Sequence, residues 1–437
     1  MRTRRAAVAS VVGVAAAAAA PRVGLFEDPT PRWERRMNDE QLQVIRHEAG
    51  PVANYAGAGS GKTRAVVHRV VRLVECCGVA PDRIFCVTFS RAGADEMQAR
   101  IRDLGVGGVV VQTWHAFCGR VLREEGTREG RWDVDDKDRA KALVKQAMGY
   151  KHENWIGGDL TKVRRFIGVC KANLFEPDSE GALELATRMF RRDAVRAVRV
   201  FSIAQGLIEE AGILPFDDML VHVARYFATD EDMRRAWAGR FDYVLQDEGQ
   251  DANVAQVTLA RMLARDHRNY MIVGDPGQAI FGFRGSSPAY LTDFTEEWNA
   301  EVVVTMAKNY RSGDAIVRAA NAVIQDGAHR LPQDMIPMRG IEGEVREMAT
   351  DTLDDEAREL VDFVKARASA GSKYSDVCVL YRLNAQSRAL EEAMLREKIP
   401  YVIVGGINFY ERKEVKDLLG YLRLASGIDR EGDALRR

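Results

Sequence analysis

Residues 56–63 read AGAGSGKT, directly after the apolar run Val52–Ala56 and directly before an amphipathic stretch from Lys62 to Val74. A strand that feeds a glycine-rich loop, which then opens a helix, points backbone N–H groups and the positive end of a helix dipole at one place. Such a place attracts phosphate. At this spacing Lys62 would reach the β- and γ-phosphates of a nucleotide, and the Thr63 hydroxyl would hold a magnesium ion. Ala56, Gly57, Ala58, Gly59, Ser60, Gly61, Lys62 and Thr63 are therefore candidate contacts to ATP, with Mg2+ as its companion. Ala56 stands where the strict GxxxxGK[ST] pattern has glycine. The alternative is a glycine-rich turn that carries a lysine by chance, and the flanking strand and helix argue against it.

Outward from the loop, short apolar runs alternate with helical periodicity. Ile84–Phe89 and Val109–Gln112 read as strands, and the segments near 92–101 and 114–123 as helices. This alternation predicts a parallel α/β sheet. From about Glu124 to Ala238 the periodicity is helical, with no clear strand. Strand character returns at Phe241–Leu245 and Tyr270–Val273, so a helical block inserted into an α/β domain is expected. After Arg311 the alternation restarts. Helices are predicted at 315–324, 356–368 and 385–395, with strands at 344–348, 377–381 and 401–404. No internal repeat is present.

A phosphate loop needs an acidic partner at the end of an apolar strand. Asp247 and Glu248 follow Phe241–Gln246 and fit that place. Asp247 would bind Mg2+, and Glu248 would orient and deprotonate an attacking water. Taken alone, Asp-Glu after a strand is commonly a solvated turn. Its order relative to the loop favours the chemical reading. Gln246 is less apolar than the end of a buried strand leads one to expect.

The chain has 437 residues, enough for two to four domains, and a net charge of −1. No global field therefore draws it to nucleic acid, and any such binding must come from local basic patches. The six cysteines, at 76, 77, 86, 118, 170 and 378, form no CxxC pair and show no zinc spacing. They read as reduced thiols of a cytoplasmic protein. Arg2, Arg4 and Arg5 precede an Ala/Val run, Ala6–Ala20, and Pro21. The layout resembles a secretory signal. The favoured expectation is an alanine-rich, disordered extension over 1–36, or a start codon placed too far upstream, because intracellular ATP chemistry follows it. The run is too short and too rich in alanine to span a membrane, and no other segment approaches a span.

Several further segments, in this order, make the chain resemble superfamily 1 DNA helicases of the UvrD/Rep/PcrA type, from about Met37 to Leu424. MNDEQ at 37–41 is similar to the family's Q motif, which implies that Gln41 reads the adenine edge, with Arg64 flanking the nucleotide. VTFSRAGADEM at 87–97 is similar to a single-strand contact motif and implies Thr88 and Phe89 as contacts. TWHAFCGRVLR at 113–123 implies His115 as another. LPFDDML at 214–220 is similar to the family's FDDLL stretch. DEGQD at 247–251 has Gly249 where an aromatic residue or alanine is common. VGDPGQAIFGFRGS at 273–286 and KNYRS at 308–312 complete the first set, and the segment from 380 to 424 is similar to the second domain of the same family.

The residues in these motifs also make chemical sense. Gln278 can hydrogen-bond a γ-phosphate. Phe281 and Phe283 offer ring faces on which bases stack, each worth about 1–3 kcal/mol irrespective of sequence. Arg284 adds a phosphate or cation–π contact. The alternative places both rings in a core. The resemblance implies that Tyr310 stacks on adenine and that Arg311 acts as an arginine finger at the start of a second domain, so that ATP lies between two domains. The basic residues Lys162, Arg164, Arg165, Lys171, Arg188, Arg191, Arg192, Arg196 and Arg199 of the inserted block are either a solvated face or phosphate contacts.

The resemblance implies a RecA-like ATP-binding domain over 37–123 and 239–288, with a helical accessory insertion over 124–238. The first part of a second RecA-like domain is expected over 289–424, and the truncated start of another insertion over 425–437. The expected function is an ATP-dependent 3′–5′ helicase or translocase acting on single-stranded and duplex DNA. The family's later VHxAKGLEF-like and RRLxYVAxTRA-like motifs are not found. The expectation is thus a fragment, one part of a split helicase that works with a separate C-terminal half, or an ATP-binding remnant without motor action. The motor half of a helicase–nuclease is a further reading.

Overall fold

Helix α1 (Asp39–Arg46) begins at Asn38, whose side chain accepts the Gln41 N–H while the Gln41 side chain returns to the Asn38 N–H. This reciprocal cap fixes the entry of the chain. Strand β1 (Val52–Ala56) follows and is buried along its whole length. A parallel strand covered on both faces reads as a nearly continuous apolar run, as this one does. In the computed structural model, residues 30–125, 133–134, 138–149, 159–327, 329–404 and 413–426 are described. The basic alanine-rich run and most of the expected extension over 1–36 lie outside them, as does most of 425–437.

The first part of the chain then builds a sheet and its covering helices in alternation. Helix α2 (Lys62–Glu75), β2 (Ile84–Val87), α3 (Arg91–Asp103), β3 (Val110–Gln112) and α4 (Trp114–Glu125) come first. After the insertion come β6 (Tyr243–Gln246), α11 (Val254–Ala264), β7 (Tyr270–Gly274), the short helices α12 (Ala289–Thr292) and α13 (Phe294–Trp298), and β8 (Val302–Met306). The six strands lie in the order β3-β2-β6-β7-β1-β8, and every neighbouring pair is parallel. Alternate residues face opposite ways. Ala53, Phe85, Val244 and Ile272 enter one core, with Phe117, Leu259 and Phe294 from the helices. Val52, Cys86, Leu245 and Met271 enter the other, with Val66, Val70 and Met97.

The insertion comprises α5 (Asp138–Met148), α6 (Leu160–Ala172), α7 (Glu180–Phe190), α8 (Ala194–Glu210), α9 (Asp218–Thr229) and α10 (Glu231–Ala238). It is helical, as expected, with one correction. Two short strands, β4 (Asp133–Val134) and β5 (Ile213–Leu214), pair within it. Two residues are too few to leave a periodic signal. Helices α5–α8 enclose a core of their own around Phe166, Cys170, Ala197 and Phe201. Helices α9 and α10 do not join it. Leu220, Val223, Phe227 and Trp237 pack into the main core beside Phe117 and Phe241.

Beyond β8 come β9 (Lys308–Asn309), α14 (Asp314–Gln325) and β10 (Ile336–Pro337), with β9 and β10 paired in parallel. One compact unit extends to Ile341. The sequence boundary at 288/289 therefore falls inside it, because β8 hydrogen-bonds along β1 from Val52↔Val302 to Ala56↔Met306. The second unit begins at Glu342. In it, α15 (Leu353–Ser369) packs on α16 (Ser387–Arg396) through Val361, Val364, Ala393 and Met394, and α17 (Lys413–Ala425) follows. Helices α15 and α16 agree with the periodicity, as does α14 in the first unit, and α17 is an addition to it. The strands expected at 344–348, 377–381 and 401–404 form no ladder. Apolar content alone makes no strand, which needs a hydrogen-bonded neighbour, and Leu380 and Val402 are 75% and 88% exposed.

Candidate functional site

The loop after β1 is bound to the protein by its carbonyl groups. Gly57 O accepts the Ser60 N–H and hydroxyl at 3.2 and 2.7 Å, Ala58 O accepts Asn309 Nδ2 at 2.7 Å, Gly59 O accepts Tyr310 N at 3.0 Å, and Ser60 O accepts Gln41 Nε2 at 2.8 Å. Gly57 N donates to Met306 O. Carbonyls turned outward in this way suit a loop whose N–H groups serve an anion. The glycines are required by space and by backbone conformation. At Gly59 (φ +68°) a Cβ would lie 2.7 Å from Arg311 Cβ, and at Gly61 (φ +91°) 2.7 Å from Gln41 Nε2. Ala56, the last residue of β1, is fully buried. Lys62 then opens α2, the first helix after the loop.

Thr63 Oγ1 donates to Asp247 Oδ2 at 3.0 Å, and Lys62 Nζ lies 3.5 Å from Glu248 Oε2. The sheet makes this meeting, since β1 and β6 are parallel and present their C-terminal ends on one edge, where α/β proteins place their ligands. Burial, followed by the Glu248 charge, pushes the Asp247 carboxyl up to about 6, against the pull of Thr63 and Lys62. Two adjacent carboxylates, one of them buried, fit a divalent cation, which would relieve both causes. Among the described residues no cluster of three His, Cys, Asp or Glu side chains could hold a metal. Magnesium suits such a place, because it takes one or two protein ligands beside nucleotide phosphates.

Gln41, Arg64 and Tyr310 meet beside this loop. Gln41 is buried, with its amide between Asn38 N and Ser60 O. Tyr310 OH accepts Asn38 Nδ2 at 2.9 Å, and the tyrosine ring is 45% exposed. Arg64 donates to Arg35 O, and burial with the nearby Arg36 and Arg100 charges lowers its pKa. Arg311 is exposed, its Cβ against Gly59, inside the same compact unit as the loop. The expectation that it opens a separate domain is corrected by the same β8–β1 pairing. Gln278 Nε2 donates to Asp275 Oδ2 at 2.6 Å.

Sequence reasoning missed four polar residues. Asn309, 2% exposed, holds Ala58 O and accepts both Arg311 N and Ser312 N. Gln250 bridges Glu248 Oε2 at 2.8 Å and Asp275 N at 3.0 Å. Asp275 holds Gln278. Asp251, also buried, accepts Ile280 N at 3.3 Å. Each lies within a quoted motif, and buried polar residues so placed are the signal that was available. Gln246 also finds its reason, since its Oε1 accepts the buried Tyr270 hydroxyl at 2.7 Å.

The aromatic residues lie outside the cores. Phe89 stacks on Phe281 with centroids 4.4 Å apart and planes at 28°. Phe283 is 45% exposed and 6.0 Å from Phe281. The Arg284 guanidinium lies 5.2 Å from the Phe281 centroid and 5.6 Å from that of Phe283. The guanidinium of Arg165, from α6, lies 5.8 Å from the Phe283 centroid. His115 stacks on Phe216 at 3.9 Å and 9°. Burial, then Arg284, lower its pKa from 6.5 to about 4, so its ring is neutral near pH 7. Phe89, His115, Arg165, Phe216, Phe283 and Arg284 line one cleft of about 770 Å³, with Arg164, Arg91 and Ser286, while Phe281 lines the adjoining cavity with Thr63, Asp247, Glu248 and Gln278. Thr88 is buried and gives its hydroxyl to Ser90 O, which leaves Phe89 as the exposed member of that pair.

Lys171 departs from the rest of its basic run, for which a solvated face or phosphate contacts are the two expectations. It is buried in an ion pair with Asp218, their side chains 7% and 3% exposed. The helical insertion thus uses that charge to hold α6 against α9. Arg164, Arg165 and Lys171 all line the cleft, with the Lys171 charge already paired.

Residues 37–299 match the UvrD/REP helicase N-terminal domain, and residues 304–436 the UvrD-like helicase C-terminal domain. The chain is similar to the ATP-dependent DNA helicase PcrA of Staphylococcus epidermidis, 34% identical over 396 residues that cover 89% of this chain and 54% of that protein. To PcrA of Staphylococcus aureus it is 33% identical over 395 residues, covering 89% and 53%. It spans about half the length of the curated relatives it matches. With the phosphate loop, the acidic pair and the aromatic strip placed as described, the chain belongs to the UvrD/Rep family of helicases.

Proposed function

We propose that this chain is an ATP-dependent DNA helicase or translocase that moves 3′ to 5′ along single-stranded DNA in the cytoplasm. The observation that carries this reading is the segment 273–286. At one end Gln278 and Phe281 line a cavity with Thr63, Asp247 and Glu248, and at the other Phe283 and Arg284 face the larger cleft. Its relatives are named ATP-dependent DNA helicases. Among the described residues no helix is long and apolar enough to cross a membrane.

In this reading the loop from Ala56 to Thr63 cradles the phosphates. Gln41, Arg64 and Tyr310 receive the adenine. Thr63 and Asp247 would hold Mg2+, which supplies charge neutralisation between the phosphates when bound. Glu248 orients the attacking water and takes its proton, and Lys62, Gln278 and Arg311 stabilise the charge that develops on the transferred phosphoryl group. Bases stack on Phe89, Phe281 and Phe283. His115, held neutral, meets the strand as a ring and hydrogen-bonding group rather than as a cation. Thr88 fixes the turn that carries Phe89 through its bond to Ser90 O.

Strand displacement on partial duplexes tests this. With Mg-ATP the chain is expected to release the short strand from a duplex with a 3′ single-stranded tail and not from one with a 5′ tail. Release from the 5′-tailed duplex alone overturns the polarity. ATP binding without hydrolysis or displacement selects an ATP-binding module without motor action.

A further inference from the structure

One short turn, Gly249–Asp251, stands between the nucleotide constellation and the aromatic strip. It sits tightly on the end of β7. A Cβ at Gly249 would fall 2.4 Å from Ile272 Cγ1, and one at Gly274 would fall 2.3 Å from Gln250 Oε1. Backbone bonds from Asp251 N to Glu248 O at 3.0 Å and from Ala252 N to Gly249 O at 3.2 Å stiffen it.

Two successive side chains leave this turn in different directions. Gln250, 2% exposed, joins Glu248 Oε2 to Asp275 N, and Asp275 in turn joins Gln278. Lys62 approaches the same Glu248 oxygen at 3.5 Å. This arm therefore runs Lys62–Glu248–Gln250–Asp275–Gln278, and every link is a hydrogen bond or ion pair. Asp251, 7% exposed, goes the other way. Its carboxylate accepts the Ile280 N–H at 3.3 Å and faces the Phe281 N–H. Phe281 carries the stack on Phe89. The same seam continues through a bridge between Asn253 and Ser286 and a bond from Ser287 N to Ala252 O at 3.1 Å.

We propose that Gln250 and Asp251 are paired positioning residues that make the placement of the Phe89–Phe281 stack, and with it the affinity for single-stranded DNA, depend on what occupies the nucleotide site. This inference rests on the function proposed above. The physical reason is burial. A phosphate that draws Lys62 from Glu248, or Gln278 from Asp275, changes the partners at both ends of Gln250. A buried amide cannot replace a lost partner with water, so it follows the groups that move. The stiff turn passes that displacement to Asp251, which holds the backbone of the stacking residues. In this arrangement neither side chain needs to touch nucleotide or base.

The test uses the full 437-residue chain, an oligothymidylate containing 2-aminopurine, and a non-hydrolysable ATP analogue with magnesium. In the unsubstituted chain, oligonucleotide affinity is expected to differ by about fivefold or more between the nucleotide-free and analogue-bound states. In Asp251→Asn, and separately in Gln250→Leu, that ratio is expected to collapse towards one while affinity for the analogue persists. The 2-aminopurine fluorescence should then no longer respond to the analogue. Should a variant fail to fold, Ile280→Pro removes the N–H that Asp251 holds, at a side chain that is 71% exposed. A merely structural role would lower Tm and weaken both states alike, leaving the ratio intact. A folded variant that keeps the full ratio overturns the inference. So does an unsubstituted chain that binds oligonucleotide with no response to the analogue. Analogue binding with no oligonucleotide binding at all overturns instead the function on which the inference rests.

Discussion

The Thr63 hydroxyl donates to Asp247 Oδ2 across 3.0 Å and so joins the first turn of the helix after the phosphate loop to the end of strand β6. The contact brings together residues 184 positions apart, at the place where the reading puts magnesium. Losing a hydrogen bond to a charged group costs about 1.5–3 kcal/mol, which corresponds to roughly 10- to 150-fold in affinity. Thr63→Ala and Asp247→Asn are therefore expected to weaken ATP binding by about that factor when magnesium is present. With EDTA the loss should be much smaller. Titration of a fluorescent ATP analogue with and without magnesium measures both. Equal losses in the two conditions would remove the metal from the role of these residues.

Gly249 has a steric reason to be glycine, because Ile272 occupies the space a side chain would need. Gly249→Ala is expected to destabilise the chain by about 1–3 kcal/mol through overpacking. Ile272→Ala should restore part of that loss, so the double variant is more stable than the two single changes added together. Denaturant midpoints for the four members of the cycle give the coupling. Strict additivity would mean that Ile272 is not what excludes the side chain.

The buried pair of Lys171 and Asp218 predicts a different pattern. Lys171→Met or Asp218→Leu alone leaves one uncompensated charge in the interior, at a cost of about 3–5 kcal/mol. The double variant removes both charges and should recover most of that loss, because desolvating two ions offsets much of their attraction. Thermal unfolding of the three variants decides the matter. Single variants as stable as the unsubstituted chain would mean that the pair is not a buried one.

Much of the fold was legible because periodicity and loop chemistry agreed. Strands at 52–56, 84–87, 110–112, 243–246 and 270–274 and the helices at 62–75, 91–103 and 114–125 agree with the sequence reading within a few residues. Strand β8 was not. Its sequence, VVVTM, carries the apolar signal, but it was read past in favour of a domain boundary at 289. The opposite error arose at 344–348, 377–381 and 401–404, where apolar residues suggested strands and no paired neighbour exists among the described residues. Which edge a strand joins, or whether it joins one, depends on distant residues and cannot be read from a five-residue window.

The site divides in the same way. The glycine, lysine, threonine and acidic residues were legible because their chemistry fixes their spacing. Asn309, Gln250 and Asp275 were harder to see. Asn309 and Gln250 act on backbone groups that the fold brings close, at Ala58 O from 251 positions away and at Asp275 N from 25, while Asp275 acts locally on Gly277 and Gln278. Lys171 was misread because a basic residue in a run of basic residues looks solvated until its buried carboxylate partner is in view.

The central claim is that one chain couples a nucleotide site to a single-strand cleft. The most direct test is steady-state ATP hydrolysis by the 437-residue chain with and without oligothymidylate, with Lys62→Ala as the control. The account predicts hydrolysis that rises about tenfold or more with the oligonucleotide and disappears in Lys62→Ala. Hydrolysis that ignores the oligonucleotide, or that survives the loss of Lys62, would contradict it.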